Sequence, residues 1–316
     1  MSLLSFEQAR DVVIGVCREI SKIYVGKKEL VELAVATLFS GGHLLIEGYP
    51  GTGKTLLAKL LAKVIGGKYK RIQGHPDVLP SDIMGFHIYK LDGSKTFIPG
   101  PLFSNILLID ELNRISTRSQ AALLEAMQEL QVTVDGETYQ LRKPFLVIAT
   151  SVPLSIASGA FYIMETLVDR FTSSVRSEYN PISEELEILD KADLVFDLPV
   201  DSITTPNQVV NIVNSMHQLV HVERSIKEYI VSIVSTLRRN EAVEYGPSHR
   251  ATIDLLKLSR VVALMDNRDY VIPDDVKKIA VPVIAHRVKI RAEYESEGYN
   301  GKSLVEEAVY KTPVPK

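Results

Sequence analysis

One short stretch of the sequence combines residue types and spacing that suit phosphate binding. The segment "GYPGTGKT" fits the pattern G-x-x-x-x-G-K-[ST], with Gly48, Gly53, Lys54 and Thr55 at the fixed positions. Glycines let backbone N–H groups curl around phosphate oxygens, the lysine reaches the outer phosphates, and the threonine hydroxyl can bind Mg²⁺. We therefore predict that a nucleotide is bound by Gly48, Tyr49, Pro50, Gly51, Thr52, Gly53, Lys54, Thr55 and Leu56.

The chain on either side of this motif supports that prediction. The apolar run "HLLIE" reads as a strand leading into it, and "TLLAKLLAKVIGG" reads as a helix that opens within it. The amino end of a helix favours negative charge, and Gly66 with Gly67 suits a helix end. The alternative, a glycine-rich turn without a ligand, does not require this strand and helix.

A pair of adjacent carboxylates follows a second apolar run. In "ILLIDEL", Asp110 and Glu111 come directly after four apolar residues, although acids are rarely buried unpaired. An Asp in this position can hold Mg²⁺, and a neighbouring Glu can orient and deprotonate the attacking water. We predict Thr55 and Asp110 as metal ligands and Glu111 as general base, which favours ATP hydrolysis over phosphoryl transfer to an acceptor. The alternative is a solvent-facing acid pair that binds Arg114.

The elements that must position these groups form an α/β pattern. Short apolar runs at residues 43–47, 68–73, 106–110, 145–150 and 173–179 alternate with helical patterns. This alternation is typical of a parallel sheet covered by helices. After about residue 180 the strand signals stop and helical periodicity takes over, as in "SIKEYIVSIVSTLRR". We predict an α/β nucleotide-binding core at residues 1–180 and an all-α domain at residues 181–316.

The composition of the chain argues against several classes of protein, namely strongly basic nucleic-acid-binding proteins, disulfide-linked proteins and membrane-spanning proteins. The 316 residues carry a formal net charge of -3, which gives no overall electrostatic signature of nucleic-acid binding. Cys17 is the single cysteine, so no internal disulfide can form, and we expect it to be a small buried residue. No uninterrupted apolar run reaches the roughly 18 residues of a membrane-spanning helix. These features favour the cytoplasm and predict no membrane span.

The whole set of motifs resembles the MoxR family of AAA+ ATPases. The matching stretches include "GHLLIEGYPGTGKTLLAK", "RIQGHPDVLPSDIMG", "GPLFSNILLIDELNR", "LVDRF", "SHRA" and "RDYVIPDDV", in the family's order and over nearly the whole chain. The resemblance implies a P-loop AAA+ αβα core with a parallel five-stranded sheet, followed by an all-α lid domain. It also implies a homo-oligomeric ring, usually a hexamer, with ATP and Mg²⁺ between subunits.

The resemblance also assigns two arginines to catalysis, beside Lys54 and Glu111. Arg170 in "DRF" matches the arginine finger, which stabilises transition-state charge in the neighbouring subunit and is worth about 10³ to 10⁵ in rate. Its alternative is an intramolecular ion pair with Asp169. Arg250 in "SHRA" matches the lid cation called sensor 2, and the sequence leaves open whether it serves its own subunit's nucleotide or a neighbour's.

One position departs from the family pattern. The strand "LVIATSVP" ends where the family usually reads "ATQNP", so Val152 replaces the polar sensor 1 residue that helps position the attacking water. Ser151 is adjacent, but neighbouring strand residues point to opposite faces. We therefore predict slow hydrolysis.

Two inserts indicate where the protein would contact a client. The segment "QVTVDGETYQL" predicts a hairpin with its turn at Asp135 and Gly136, and "GFHIYKLDGSKTFIPGP" matches the family's helix 2 insert. The resemblance implies a chaperone-like machine acting on protein partners, with a von Willebrand factor A domain protein as a candidate. Related rings include DNA helicases, so a nucleic-acid motor is one alternative, and a nucleotide-dependent assembly switch is another. Acidic Asp135 and Glu137 at the hairpin tip favour protein over nucleic acid.

Overall fold

The computed structural model describes residues 4–152, 160–197 and 199–315. The strands are β1 (Leu44–Gly48), β2 (Tyr69–Gln73), β3 (Gly85–Tyr89), β4 (Lys95–Pro99), β5 (Ile106–Asp110), β6 (Gln131–Val134), β7 (Glu137–Gln140), β8 (Leu146–Ser151), β9 (Ser173–Ser177), β10 (Val243–Tyr245) and β11 (Lys289–Ile290). The helices of the first part are α1 (Phe6–Ser21), α2 (Lys28–Phe39), α3 (Lys54–Val64), α4 (Pro80–Met84), α5 (Thr117–Gln120), α6 (Ala122–Glu129) and α7 (Glu165–Val168). Those that follow are α8 (Ile182–Asp190), α9 (Leu194–Asp197), α10 (Pro206–Leu219), α11 (Arg224–Arg238), α12 (His249–Met265), α13 (Pro273–Ile284), α14 (Ala292–Ser296) and α15 (Gly301–Lys311).

The five predicted strands form one parallel sheet in the order β2-β5-β8-β1-β9. Their near-continuous apolar runs are explained by burial on both faces, as a parallel sheet between helices requires. Along β5, Ile106 and Leu108 pack into one core while Leu107 and Ile109 pack into the other. All parallel strands end at the same edge of the sheet, where the phosphate-binding motif at the end of β1 meets the acids at the end of β5.

The second part of the chain is a helical lid that also contains one short β-ribbon. The predicted apolar stripe on α11, Ile226, Ile230, Ile233 and Leu237, is buried in the same core as α12 and α13. The sequence analysis predicts no strand in this half of the chain, yet β10 and β11 form a short antiparallel ribbon. Two strands of three and two residues are too short to produce a periodic pattern. Within the described part of the chain, no helix has the length and apolar character to cross a membrane.

Both inserts are β-hairpins outside the central sheet. The predicted hairpin is β6–β7, and its turn residues Asp135 and Gly136 have φ of 50° and 80°. Positive φ at both turn positions is the geometry that Asp-Gly favours in a two-residue hairpin. The helix 2 insert is the hairpin β3–β4, which follows the one-turn helix α4.

Candidate active site

The phosphate-binding loop joins β1 to α3 at the carboxyl edge of the sheet. Gly51 and Gly53 have φ of 80° and 83°, which side chains with a Cβ rarely adopt. At Gly48 a Cβ would lie 2.2 Å from the carbonyl oxygen of Ser177 on β9, so the close approach of the two strands requires glycine there. The loop borders a cavity of about 540 Å³ that is also lined by Lys54, Thr55, Leu56, Asp110 and Glu111.

The Lys54 ammonium group lies in the cavity and donates hydrogen bonds to the loop. Its Nζ donates to the carbonyl oxygens of Tyr49 at 2.6 Å and Gly48 at 3.3 Å, and to Thr52 Oγ1 at 3.1 Å. Burial lowers the pKa of Lys54, and the nearby Asp110 and Glu111 carboxylates oppose that shift. A cation that is held by backbone carbonyls at a helix amino end can exchange those acceptors for phosphate oxygens.

The two acids have different partners. Asp110 Oδ1 accepts a hydrogen bond from Thr150 Oγ1 at 2.7 Å, and Asp110 Oδ2 lies 2.7 Å from Arg71 Nη2. Glu111 Oε2 lies 2.6 Å from Arg114 Nε, so the ion pair considered as an alternative in the sequence is present. Glu111 nevertheless lines the cavity, so the ion pair and the cavity position coexist.

Glu111 has a strained backbone. Its φ of 58° and ψ of 54° lie in the left-handed region, although it is not glycine. Such a conformation costs on the order of 1 kcal/mol or more and persists at functional sites where surrounding contacts fix it. The Glu111 N–H donates to Thr150 Oγ1 at 2.8 Å, so one buried hydroxyl bonds both to the Asp110 side chain and to the Glu111 backbone.

A second cavity, of about 340 Å³, lies on the other side of the loop. Its lining is largely apolar and includes Ile23, Val25, Leu56, Ile188 and Leu189, with Gly51, Thr52 and Gly53 at its border with the phosphate cavity. Tyr24 also lines it. The Tyr24 hydroxyl is buried and has no hydrogen-bond partner among the described residues, and burial raises its pKa to about 12. A flat apolar ligand with polar edges fits such a space.

The two predicted catalytic arginines lie together on a different part of the molecule. Arg170 Nη2 donates to Gln128 Oε1 at 2.7 Å, and Arg250 Nη2 donates to the same oxygen at 3.3 Å. Arg250 also forms an ion pair with Asp169 at 2.8 Å. Among the described residues that line the phosphate cavity, neither arginine occurs. The structure therefore brings Lys54, Thr55, Asp110 and Glu111 together and keeps Arg170 and Arg250 apart from them.

Comparison with known proteins agrees with this geometry. A family model described as "ATPase family associated with various cellular activities (AAA)" matches residues 43–173, and an AAA lid domain model matches residues 235–308. The chain is 39% identical to the uncharacterized protein YeaC of Bacillus subtilis, over 94% of this chain and 92% of the relative. It is 36% identical to the chaperone MoxR1 of Mycobacterium tuberculosis, over 85% of this chain and 74% of that protein. A crystal structure of a proposed ATPase from Cytophaga hutchinsonii aligns with a TM-score of 0.90 at 35% identity, covering 98% of this chain and 97% of that one.

This chain belongs to the MoxR family of AAA+ ATPases. Family membership and the site geometry agree that the protein is an ATPase with an AAA+ core, a five-stranded parallel sheet and a helical lid. Binding of a nucleotide follows from the family. AAA+ proteins usually act as oligomeric rings.

The chemistry of the site fits Mg²⁺ in this MoxR-family ATPase. Thr55 and Asp110 line the same cavity and supply hydroxyl and carboxylate oxygens, which are the ligands that Mg²⁺ prefers. Arg71 also contacts Asp110 Oδ2, so Mg²⁺ would share this carboxylate with the guanidinium or displace it. The donor set is therefore compatible with a divalent ion between Thr55 and Asp110.

Val152 lies at the position predicted for sensor 1. Its side chain is 8% exposed and lines the phosphate cavity. The Asn113 side chain donates to the Val152 carbonyl oxygen at 2.8 Å and accepts from the Val152 N–H at 3.3 Å, which fixes this backbone. Pro153, which ends the strand motif, lies outside the described residues. An apolar side chain thus faces the cavity where the family pattern has a polar one.

Sequence reasoning missed several polar residues of the MoxR-family site. Arg71, Gln73 and Thr150 all line the phosphate cavity, and Gln128 joins the two arginines. Arg71 and Gln73 alternate on β2, which pairs with β5 in register, so Gln73 lies opposite Asp110. Polar alternation at the end of β2 is the signal that could have found them. For Gln128, on an exposed helix surface, the sequence offers no such signal.

Proposed function

We propose that this MoxR-family protein hydrolyses ATP at the interfaces of a hexameric ring and uses the energy to remodel protein partners. The observation that carries the proposal is the separation of the catalytic groups: Lys54 and Glu111 share a cavity, while Arg170 and Arg250 lie on another surface. A site that needs an arginine finger is then completed by a neighbouring subunit. The division into a core at residues 1–180 and a lid at residues 181–316 belongs to this proposal.

Each of the predicted site residues has a distinct part in the proposed hydrolysis. Backbone N–H groups of the loop and Lys54 bind the phosphates, and Thr55 with Asp110 would hold Mg²⁺. When bound, the metal ion neutralises charge on the phosphate oxygens. Glu111 orients a water molecule and accepts its proton. The apolar cavity beside Tyr24 and Leu56 suits the adenine ring, because it adjoins the loop and offers an unpaired hydroxyl.

Arg250 serves the neighbour's nucleotide in this proposal. It shares Gln128 Oε1 with Arg170. Burial, and then the charge of Arg250, lowers the pKa of Arg170. Two guanidinium groups kept side by side repel one another, so the arrangement favours an anion placed between them. A phosphate presented by an adjacent subunit is such an anion.

The client-facing element is the double hairpin, defined here as β3–β4 with β6–β7. Phe97 stacks on Tyr139 with ring centroids 4.0 Å apart. The His87 side chain, 1% exposed, lies between the hairpins with Nδ1 2.9 Å from Asp135 Oδ2. Lys95 Nζ lies 2.6 Å from Glu137 Oε1. These contacts join the two inserts into one unit.

The double hairpin exposes several large apolar side chains. Phe86 and Ile88 on β3 are 46% and 47% exposed, and Leu91 at the tip is fully exposed. Contiguous exposed apolar residues mark surfaces for protein contact, whereas a phosphate backbone would need exposed Lys or Arg. Lys95 is engaged by Glu137, and Asp135 is engaged by His87. Lys90 and Asp92, on either side of Leu91, are exposed and opposite in charge, so the hairpins, which lie wholly within the described residues, present no basic surface. Protein partners are favoured over nucleic acid.

A variant that binds ATP without hydrolysing it, called the trap variant here, tests the proposal because it should stay bound to a protein partner. Glu111→Gln should keep ATP binding and lose turnover by about 10²-fold or more, since a general base contributes 10² to 10⁴. Incubated with ATP, the trap should retain a protein partner, and a von Willebrand factor A domain protein is the candidate class. Leu91→Asp in the trap should release that partner, while Val231→Ser, an exposed lid position, should not. Loss of ATP binding by Glu111→Gln would contradict its role as base, and retention by Leu91→Asp would contradict the docking face.

Two alternatives have their own readouts. Strong and salt-sensitive stimulation of turnover by single- or double-stranded DNA would favour a nucleic-acid motor. An assembly switch is favoured by Val152, because we expect an apolar side chain at the sensor 1 position to slow hydrolysis. A switch requires only ATP-dependent assembly and release. Remodelling is therefore supported if the client changes conformation during ATP turnover but does not change with a non-hydrolysable ATP analogue. The cytoplasm is the proposed location, because the lone Cys17 suits a reducing compartment.

A further inference from the structure

The short turn that ends α13 contacts the segment around Arg170. The guanidinium of Arg287, in the 3-10 turn Ala285–Arg287, donates through Nη2 to the carbonyl oxygens of Asp169 at 3.0 Å and Phe171 at 2.9 Å. These two carbonyls flank Arg170 along the chain. The Arg287 side chain is 1% exposed, so the contacts are buried.

Arg287 is itself fixed by the lid. Its Nη2 lies 2.6 Å from Asp254 Oδ2 on α12, and its Nε lies 3.5 Å from Asp169 Oδ1. Burial raises the pKa of Asp254, and the charge and hydrogen bond of Arg287 oppose that shift. One guanidinium therefore joins α12, the end of α13 and the finger segment.

The adjacent residue makes a parallel contact. His286 Nε2 lies 2.8 Å from the carbonyl oxygen of Phe171, and burial lowers the pKa of His286 to about 3. The ring is therefore neutral near pH 7, and its Nε2–H is the donor to that carbonyl. Two consecutive lid residues thus hold the carbonyl oxygen of Phe171, the residue that follows Arg170.

We propose that Arg287 is a positioning residue for the arginine finger: it ties the backbone on both sides of Arg170 to the lid, so that lid position sets how Arg170 is presented to the neighbouring subunit. The inference rests on the proposed role of Arg170 in trans. Geometry of this kind matters because a displacement of about 1 Å in a catalytic group can cost 10²-fold in rate.

The test is a subunit-mixing experiment with Arg287→Lys. Lysine keeps the buried positive charge beside Asp254, but its side chain is shorter, so its nitrogen does not reach the position of Arg287 Nη2, the one atom that contacts both carbonyls. We expect kcat to fall by about 10-fold to 10²-fold with unchanged ATP binding. When mixed with Glu111→Gln subunits, which are inactive but carry an intact finger, Arg287→Lys subunits should recover turnover. Wild-type protein mixed with Glu111→Gln at the same ratio gives the reference rate.

Two controls keep the outcomes distinct. Arg268→Lys disturbs another lid ion pair, in which Arg268 Nη2 lies 2.6 Å from Asp275 Oδ1, and should lower Tm comparably while leaving kcat unchanged. Arg170→Ala mixed with Glu111→Gln should also recover turnover if the finger acts in trans.

Recovery by Arg170→Ala but not by Arg287→Lys overturns the positioning role alone. Failure of both to recover overturns the finger in trans, and an unchanged kcat in folded Arg287→Lys overturns the positioning role directly.

Discussion

Thr150→Val is the substitution that most directly tests the geometry of the two acids. The Thr150 side chain is buried, and its single hydroxyl donates to Asp110 Oδ1 at 2.7 Å and accepts from the Glu111 N–H at 2.8 Å. Valine has nearly the same shape and no hydroxyl. The substitution therefore removes both hydrogen bonds without opening a cavity.

The magnitude follows from what each partner loses. A hydrogen bond to a charged group contributes about 1.5 to 3 kcal/mol, and an unsatisfied buried N–H costs about 1 to 3 kcal/mol. Because Asp110 keeps Arg71 as a partner and the left-handed backbone of Glu111 can relax, we expect about 2 to 4 kcal/mol of lost unfolding free energy. A relaxed Glu111 also orients water less well, so kcat should fall by about 10-fold to 10²-fold.

Urea unfolding gives the first quantity, and steady-state ATPase kinetics give the second. Thr150→Ser retains the hydroxyl and should stay close to wild type in kcat. Wild-type turnover in folded Thr150→Val would refute the view that this hydroxyl sets the geometry of Glu111. A loss of kcat of the same size in Thr150→Ser would assign the effect to packing instead.

Three further predictions concern other parts of the chain. Val152→Asn introduces a polar group at the cavity and should raise turnover, and an unchanged or lower rate would contradict the prediction that Val152 slows hydrolysis. Burial lowers the pKa of His43 to about 4 and of His286 to about 3, whereas an exposed histidine has a pKa near 6.5. The unfolded state therefore binds more protons below pH 6.5, and stability, fully present above that pH, should fall towards pH 4 by up to about 1.4 kcal/mol per pH unit for each histidine. Urea titrations at several pH values measure this slope, and His43→Gln should flatten it. Burial also raises the pKa of Cys17 to about 12, so iodoacetamide should alkylate the native protein slowly and the urea-unfolded protein rapidly.

Much of the fold and half of the candidate site could be read from local sequence. The five apolar runs were predicted at nearly their observed positions, because a strand buried on both faces must be apolar throughout. The loop from Gly48 to Thr55 is recognisable because local backbone geometry requires glycine at fixed positions. The acids after β5 stand out because charge at the end of a buried strand requires a partner. Each of these signals is carried by residues that are close together in the sequence.

What the sequence alone determined is therefore local: the order of the elements, the phosphate loop and the acid pair. Only the tertiary structure decided which distant groups meet. Thr150 reaches Asp110 because β5 and β8 lie side by side, Gln128 joins Arg170 to Arg250, and Arg287 reaches the carbonyls around Arg170 from the end of the lid. Each of these contacts involves residues far apart in the chain, and periodicity carries no information about such pairs. The physical reason is that a strand or helix is selected by its neighbours in sequence, whereas a site is assembled by packing.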